Sequence, residues 1–471
     1  MIIRSREMEI NQETIGTLVG EFNRSVLPRL RMLRDEYDGK SPITRRVRTA
    51  GLPNNKLSHP YQRYIVTMAS GYLAGQPVQY TAMDGNDQAV DALRALYRVS
   101  DMDSIDSELA RDASIYGKGV CIVYIDSSNR VRCSTIDPRT AFVVYDDTVE
   151  HRPICGVHIY QTYAPDGRVN GTAADVYTER DKITYMRRGA TDGSGGAGGF
   201  TQERMEEHLF DGVPIIEVWN DADETGDFER VLSLIHAYDQ QESDRVNDKQ
   251  QFTDAILLLT GCVLEKDPDD EDVRTPAQKL LEEKTLSLPD TDAKAEWLTK
   301  QSDESGNEIL RLALKSDIHK LSMVPDLSDE NFAANASGVA MKYKLLGFEQ
   351  LTQNKERYFR EGLTSRMRIY AGILKTRDNI TLDPEQVQIT FTRSLPANET
   401  EIASMVATLD GIVPTRTLLA QVPFVEDVDA AMDELAAQKE QAAQAQREAF
   451  GADYYDANAR AQFDTDGEDN A

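Results

Sequence analysis

Residues 61–80 read YQRYIVTMASGYLAGQPVQY. Tyr61, Tyr64, Ile65, Met68 and Ala69 recur at three- and four-residue spacing, the period of one apolar helix face. Gly71, Gly75 and Pro77 interrupt that pattern, and Val78 and Tyr80 then alternate as in a strand. The stretch predicts a helix that stops in Gly-Gln-Pro and passes directly into β-structure. Gly75 suits a helix C-cap before Pro77, or simply a stop. Alternatively, Gly71 and Gly75 together let a neighbouring backbone come close.

On the N-terminal side, residues 11–37 keep a helical period in Ile15, Leu18, Val19, Phe22, Val26, Leu30 and Leu33, despite Pro28. Residues 39–60 read as a loop rich in Pro, Gly and Asn, with a basic cluster at Arg45, Arg46 and Arg48. On the C-terminal side, residues 86–103 and 103–119 predict two more helices, the second ending at Gly117 and Gly119. The period then changes to two. VCIVYID, RVRCSTID, TAFVVYDD, PICGVHIYQTY, ADVYTERDKITYMRR and VPIIEVWN are strand-like runs between 120 and 220, split by turn residues. Their short connections predict a mostly antiparallel region. The glycine-rich segment 189–202 has no Gly-Lys-Ser/Thr, and Phe200 stands instead, so it reads as a surface loop rather than a phosphate cradle.

From residue 229 the helical period returns, up to Gly261. The middle of this segment, DQQESDRVNDKQQ, is nearly all polar, which predicts a helix that its own chain alone does not cover and that bridges domains or packs against neighbouring subunits. Residues 262–308 are an acidic insert, in which Leu286/Leu288 and Trp297/Leu298 suggest a small β unit. A helix follows, then a break at Pro325 and DLSDEN, then a helix from about Ser337 and Gly338 to 375, about 55 Å long at 1.5 Å per residue. Residues 386–394 read as a returning strand. Residues 397–450 are helical with one turn at Gly411–Pro414, and 451–471 form an acidic, disordered tail. The fold class is α+β.

The chain has 471 residues, 40% of them hydrophobic, and a formal charge of -28. A nucleic-acid reader needs a basic surface or patch to neutralise phosphates, so this balance argues against a sequence-reading DNA binder but not against a wall past which DNA slides. Cys121, Cys133, Cys155 and Cys262 show no ligand or disulfide spacing and read as buried small residues of a reducing compartment. There is no secretory leader, and the apolar run 255–264 is half the length of a membrane span, so the chain is expected to be soluble and intracellular. His59, His151, His158, His208, His236 and His319 are scattered without metal-ligand spacing, and no catalytic or nucleotide-binding motif appears. The acidic run Asp269–Asp272 reads as solvated surface. No cofactor, metal or enzymatic activity is expected.

Three ordered stretches resemble the portal proteins of siphovirus-type tailed bacteriophages. IVTMASGYLAGQPVQY is similar to that family's helix ending in Tyr-x-x-Gly-x-Pro-Val. LIHAYDQQESDRVNDKQQFTDAILLLTG resembles its Ile-Asp-x-Tyr-Asp-x-x-x-Ser helix, with His236 where Asp is usual. VPDLSDENFAANASGVAMKYKLLGFE resembles its Pro-Asp-x-x-x-x-x-Phe-x-x-Asn-x-Ser-Gly-x-Ala motif. The resemblance implies a portal-type fold and a ring of about twelve subunits at one capsid vertex, closed by heterologous contacts. Double-stranded DNA is packaged through it by the terminase and later leaves through it. The implied parts are an N-terminal helical arm (1–60), a wing (61–230), a stem helix (231–261), a clip (262–308) and a second stem helix (309–324). A tunnel loop (325–337), a channel-wall helix with a strand returning to the wing (338–396), a helical crown (397–450) and the tail (451–471) follow. The implied partners are other copies of the chain, the terminase large subunit, a head-completion or adaptor protein, and the major capsid and scaffold proteins. DNA passes without sequence specificity, and no membrane is involved. The tunnel loop would set Asp326, Leu327, Ser328, Asp329, Glu330, Asn331 and Phe332 at the narrowest point. Lys315, Lys320, Lys342 and Lys344 flank it as candidate basic channel residues, or as ordinary solvated lysines. The rival readings are another ring-forming connector or adaptor and, more remotely, a carboxylate-dependent hydrolase.

Overall fold

The computed structural model describes residues 2–49, 52–188, 199–253, 256–260, 294–298, 304–327, 343–393, 399–419 and 434–442, with isolated positions between 422 and 432. The chain divides into two compact units: Met1–Ala333 with Lys344–Ser394, and Ala334–Tyr343 with Leu395–Ala471.

The first unit begins with a short strand β1 (Ile2–Arg4), then α1 (Gln12–Glu21) and α2 (Leu27–Tyr37). The single helix expected over 11–37 is divided by a π turn at Phe22–Val26. Pro28 explains the break: it has no N–H to bond back one turn, and a proline is tolerated at the start of a new helix. Next come α3 (Tyr61–Ala74), β2 (Gln79–Ala82), α4 (Asp87–Ser100) and α5 (Met102–Tyr116). α5 ends as expected at Gly117, with φ 87°. A Cβ there would lie 1.8 Å from the Glu224 carbonyl oxygen, so both the turn and the close approach require glycine.

Gly75 is the C-cap of α3, but in right-handed geometry, φ -78°. The glycine is explained instead by a Cβ that would fall 2.2 Å from the Gly71 carbonyl oxygen. Among the described residues nothing lies within 4 Å of where a Cβ on Gly71 would stand.

The strands are β3 (Lys118–Ile125), β4 (Val131–Ile136), β5 (Ala141–Asp146), β6 (Pro153–Tyr163), β7 (Val169–Tyr177), β8 (Asp181–Arg188), β9 (Thr201–Glu207) and β10 (Ile215–Trp219). The run expected as one strand over 174–188 is two, β7 and β8, paired across a turn. Two sheets result. One has the order β10-β3-β4; the other runs β1-β5-β6-β7-β8-β9, antiparallel except for the parallel β1–β5 pair.

Alternation along the strands sorts the core. Cys121, Val123, Cys133, Ile216 and Val218 face α4, α5 and a later helix, while Val120, Ile136 and Ile215 face Ala141 and Val143 of the larger sheet. Cys121, Cys133 and Cys155 are free and buried, as their spacing led us to expect. On the far side of the larger sheet, Phe22 stacks on Phe142 at 4.8 Å.

The helix α6 (Leu232–Thr253) follows a short 3-10 turn. It does not continue to 261. Residues Ile256–Thr260 form β11, which pairs antiparallel with β12 (Lys294–Leu298), so the apolar ILLLT run is a strand. β12 contains the Trp297/Leu298 piece expected in a small β unit; Leu286 and Leu288 lie outside the described residues. α7 (Glu304–Ser322) and α8 (Leu346–Ile373) complete the helical part, and β13 (Val387–Thr390) returns to pair with β2. α8 is shorter than the helix expected from 338; residues 338–342 lie outside the described set. Among the described residues no helix is long and apolar enough to cross a membrane. In the second unit, α9 (Glu399–Leu409) and α10 (Thr415–Leu419) are joined by a turn at Gly411, as expected.

α8 is tied down by buried ions. Arg366, 1% exposed, donates to both oxygens of Asp106 on α5 at 2.6 and 3.1 Å. Lys355 meets Asp227 at 2.5 Å. Arg366→Met leaves Asp106 buried and unpaired and should cost about 3–5 kcal/mol. Arg366→Met with Asp106→Leu should recover most of that loss; chemical denaturation of the three proteins measures it.

Candidate functional site

The polar middle of α6 is covered on two sides by its own chain, while Gln240, Val246, Lys249 and Gln250 are exposed. Asp239, Ser243 and Asn247 are four residues apart and therefore share one face. All three are buried. Onto them folds the 39–60 loop. Asp239 accepts from Ser41 Oγ at 3.2 Å, from the His59 backbone N–H at 2.8 Å and from His59 Nδ1 at 2.9 Å. Leu57 N–H donates to Ser243 Oγ, and Asn55 donates twice to Asn247 Oδ1. Arg46 and Arg48 both pair with Asp244, Arg46 at 2.7 Å.

Gln241 and Arg245 lie about 200° round the helix from Asp239 and Ser243. They hold α7. Gln241 donates to the Asn307 carbonyl at 2.6 Å, and Arg245 bridges Glu304 and Glu308. Arg311 closes on Glu308 at 2.6 Å and reaches Tyr238 Oη at 3.5 Å. The two arginines, Arg311 foremost, hold the Glu308 carboxyl at about 2. Because 238, 241 and 245 meet 311, 307 and 304 in turn, α6 and α7 are antiparallel.

The lower end of the pair is an aromatic cluster. Tyr238 packs edge-on against His59 and Tyr61, and His319 packs edge-on against Tyr61 and Tyr64. Burial, with Tyr238 second, pushes the Tyr61 hydroxyl well above its ordinary range. His236 Nε2 lies 3.0 Å from Glu36 of α2, which also accepts from Gln62. That contact accounts for His236 where the resemblance has Asp.

α7 ends at Met323 in left-handed geometry, φ 59°. The chain beyond it is fastened. Tyr64 Oη donates to the Pro325 carbonyl at 2.7 Å and accepts from Leu327 N–H at 3.2 Å. His319 Nδ1 donates to the Val324 carbonyl at 3.0 Å, and Lys315 meets Asp326 at 2.6 Å. Of the expected loop residues, Asp326 and Leu327 thus sit at a clamped base. Ser328, Asp329, Glu330, Asn331 and Phe332 lie outside the described residues, as does Lys342. Lys320 and Lys344 are exposed. The structure brings Lys315 and Asp326 together as an ion pair. Among the described residues no group of His, Cys, Asp or Glu is arranged to hold a metal.

Sequence reading missed the clamp residues Asp239, Ser243, Asn247, Arg46, Arg48 and Tyr64. The signal was present: three short polar residues at four-residue spacing inside a helix are one polar face, and a polar face needs a polar cover.

The chain matches the model of the family described as phage portal protein, SPP1 Gp6-like, over residues 23–445. It is similar to the portal protein of Clostridium phage phiCD119, with 22% identity over 400 residues, 80% of this chain and 83% of the relative. It is also similar to the portal protein of Bacillus phage SPP1, with 24% identity over 392 residues, 79% of this chain and 74% of the relative. The chain belongs to the SPP1 Gp6-like family of phage portal proteins. It is therefore a portal protein, a structural component of the virion that serves DNA packaging.

Two outcomes test the clamps. Asp239→Ala should release the loop, so that trypsin cleaves after Arg45, Arg46, Arg48 or Lys56 at least about tenfold faster, read by mass spectrometry of the timed digest. Glu308 has its folded pKa, about 2, below the ordinary 4.5, so its stabilising contribution is complete above 4.5 and disappears as pH falls towards 2. Glu308→Gln should flatten the pH dependence of the melting temperature within that window.

Proposed function

We propose that α6 and α7 form the stem of a closed ring of about twelve copies, with the channel along its axis. The observation that carries this reading is the polarity of the antiparallel pair. At one end it opens into residues 261–303, joined to it through β11 and β12; at the other it meets α3 and the base of the 325–337 segment. Such an element has a motor-facing end and a wing-facing end. The residues near 61–230 then form the wing, the insert forms the clip that meets the terminase large subunit and later the head-completion protein, and residues 397–450 form the crown inside the capsid. Major capsid and scaffold proteins are met at the outer parts. The 325–337 segment is the tunnel loop. Its tip, Ser328–Phe332, touches DNA, while Asp326, Leu327 and Lys315 hold its base. Lys320, Lys342 and Lys344 act as unspecific cations in a channel that is otherwise acidic, and an acidic wall limits adhesion of the duplex.

Native mass spectrometry and negative-stain images of the purified chain test the ring. A closed ring with a central hole is expected; a chain that stays monomeric even with its scaffold protein present overturns the reading. Deleting Ser328–Asn331 should leave rings intact and reduce the DNA packaged per capsid. Loss of the rings in that variant removes the assignment of the loop to DNA contact.

A further inference from the structure

α6 lies between two layers that differ in every respect. The 39–60 loop covers one side and α7 the other, about half a turn apart round the helix. Their heights match: Asp244, which holds the loop, and Arg245, which holds α7, are consecutive residues. The loop and the outer face of α7 are thus the two opposite surfaces of one slab.

Each surface presents apolar side chains to water. On the loop, Val47 is 88% exposed and Leu52 48%. On α7, Ile309 is 69% exposed, Leu310 49% and Leu312 51%. Isolated apolar residues on a surface need no explanation, but Val47 and Leu52 stand on a loop held rigid by at least three side chains of α6, and Ile309 and Leu312, three residues apart, share one face of α7. The loop's cations are already engaged: Lys40 and Arg45 with Asp35, Arg46 and Arg48 with Asp244, and Lys56 with the Thr44 carbonyl. What the loop offers outward is therefore Val47 and Leu52 rather than a row of phosphate-seeking groups.

We propose that the loop of one subunit docks through Val47 and Leu52 onto the outer face of α7 of the next, at Ile309 and Leu312. The occupant is a second copy of this chain. A closed ring needs two different, mutually complementary surfaces on opposite sides of each subunit, and this slab has them. Charge agrees. Residues 39–60 contain five Lys or Arg and no Asp or Glu, and these five share three carboxylates, Asp35, Asp38 and Asp244, so the anchored loop is net positive on a chain whose formal charge is -28. Asp317 is exposed on the receiving side. The inference rests on the ring reading above and adds which surfaces close it.

The test uses the full chain with one surface altered at a time. Val47→Asp with Leu52→Asp spoils the loop; Ile309→Asp with Leu312→Asp spoils the α7 face. Each variant alone should lose rings at concentrations where the unaltered chain is fully assembled, with the monomer's melting temperature preserved. Mixed, they should form one-to-one dimers and nothing larger, because one good loop and one good face remain. In the otherwise unaltered chain, Val47→Cys with Ile309→Cys should give an oxidised ladder of multimers that neither single cysteine gives, which also covers the case in which an aspartate variant does not fold. If the unaltered chain never forms rings, the ring reading fails and the inference falls with it. If it forms rings and both variants do as well, or the mixture stays monomeric and no ladder forms, the ring reading stands and this pairing is overturned. Loop-variant rings that form normally but package less DNA overturn it in favour of a DNA contact.

Discussion

A carboxylate with no exposure to water, Asp239, sits in the middle of α6, and the arrangement around it follows from the need to satisfy it. Removing such a group from water costs several kcal/mol unless donors replace the lost hydration. The donors come from the two ends of one segment, Ser41 at its start and His59 at its end. The loop between them is thereby fixed at both roots. From His59 the contacts continue without interruption: its ring meets Tyr238, Tyr238 meets Tyr61, Tyr61 meets His319, and His319 and Tyr64 hold the chain at Val324 and Pro325. One buried charge on α6 is thus connected by touching side chains to the root of the segment proposed to face DNA.

A second set of buried charges gives the sheet region its definition. Lys355 and Arg366 are eleven residues apart, about three turns, and so project from one side of α8. Each finds a single aspartate. Asp227 also accepts from Asn220 and Ser114, and Asp106 is grouped with Tyr80 and Tyr97 around Arg366. Lys118 and Glu217 form a third pair between β3 and β10, and Glu217 also accepts from Tyr145 and from the Val143 backbone. Such groups add little net stability compared with well-packed apolar residues, but they penalise any register that leaves one of them unmatched. They fix which way α8 and the two sheets meet.

The parts legible in the sequence were those with a clear period and local partners. α3, α4 and α5 have one apolar face each, and β3 to β6 and β10 alternate; the returning strand at 387–390 was legible because a short alternating run stands between two helical stretches. β1 was not legible, because three residues carry no period and their partner in β5 lies some 140 positions away. β9 was not, because TQERMEE is polar on both sides, as suits a sheet edge. The end of α6 was misread because ILLLT continues a helical stripe as easily as it fills a strand; only the pairing with β12 decides. Within the candidate site, α7 and the helical part of α6 were legible as helices, as was the break after α7 near Pro325. The clamp was not, since the pairing of Arg46 with Asp244 or Tyr64 with Pro325 spans about 200 residues or more and no local rule encodes it.

The register of β11 with β12 sets Thr260 opposite Lys294. The thirty-three residues between them therefore depart and return at one point, a single ladder spacing of about 5 Å. An interval whose two ends are adjacent can lengthen, shorten or change composition without moving the helices that carry it. The portal is in that respect built like a handle with an interchangeable fitting. The sequence of that interval can diverge while the packing of the 39–60 loop, α6 and α7 stays as it is.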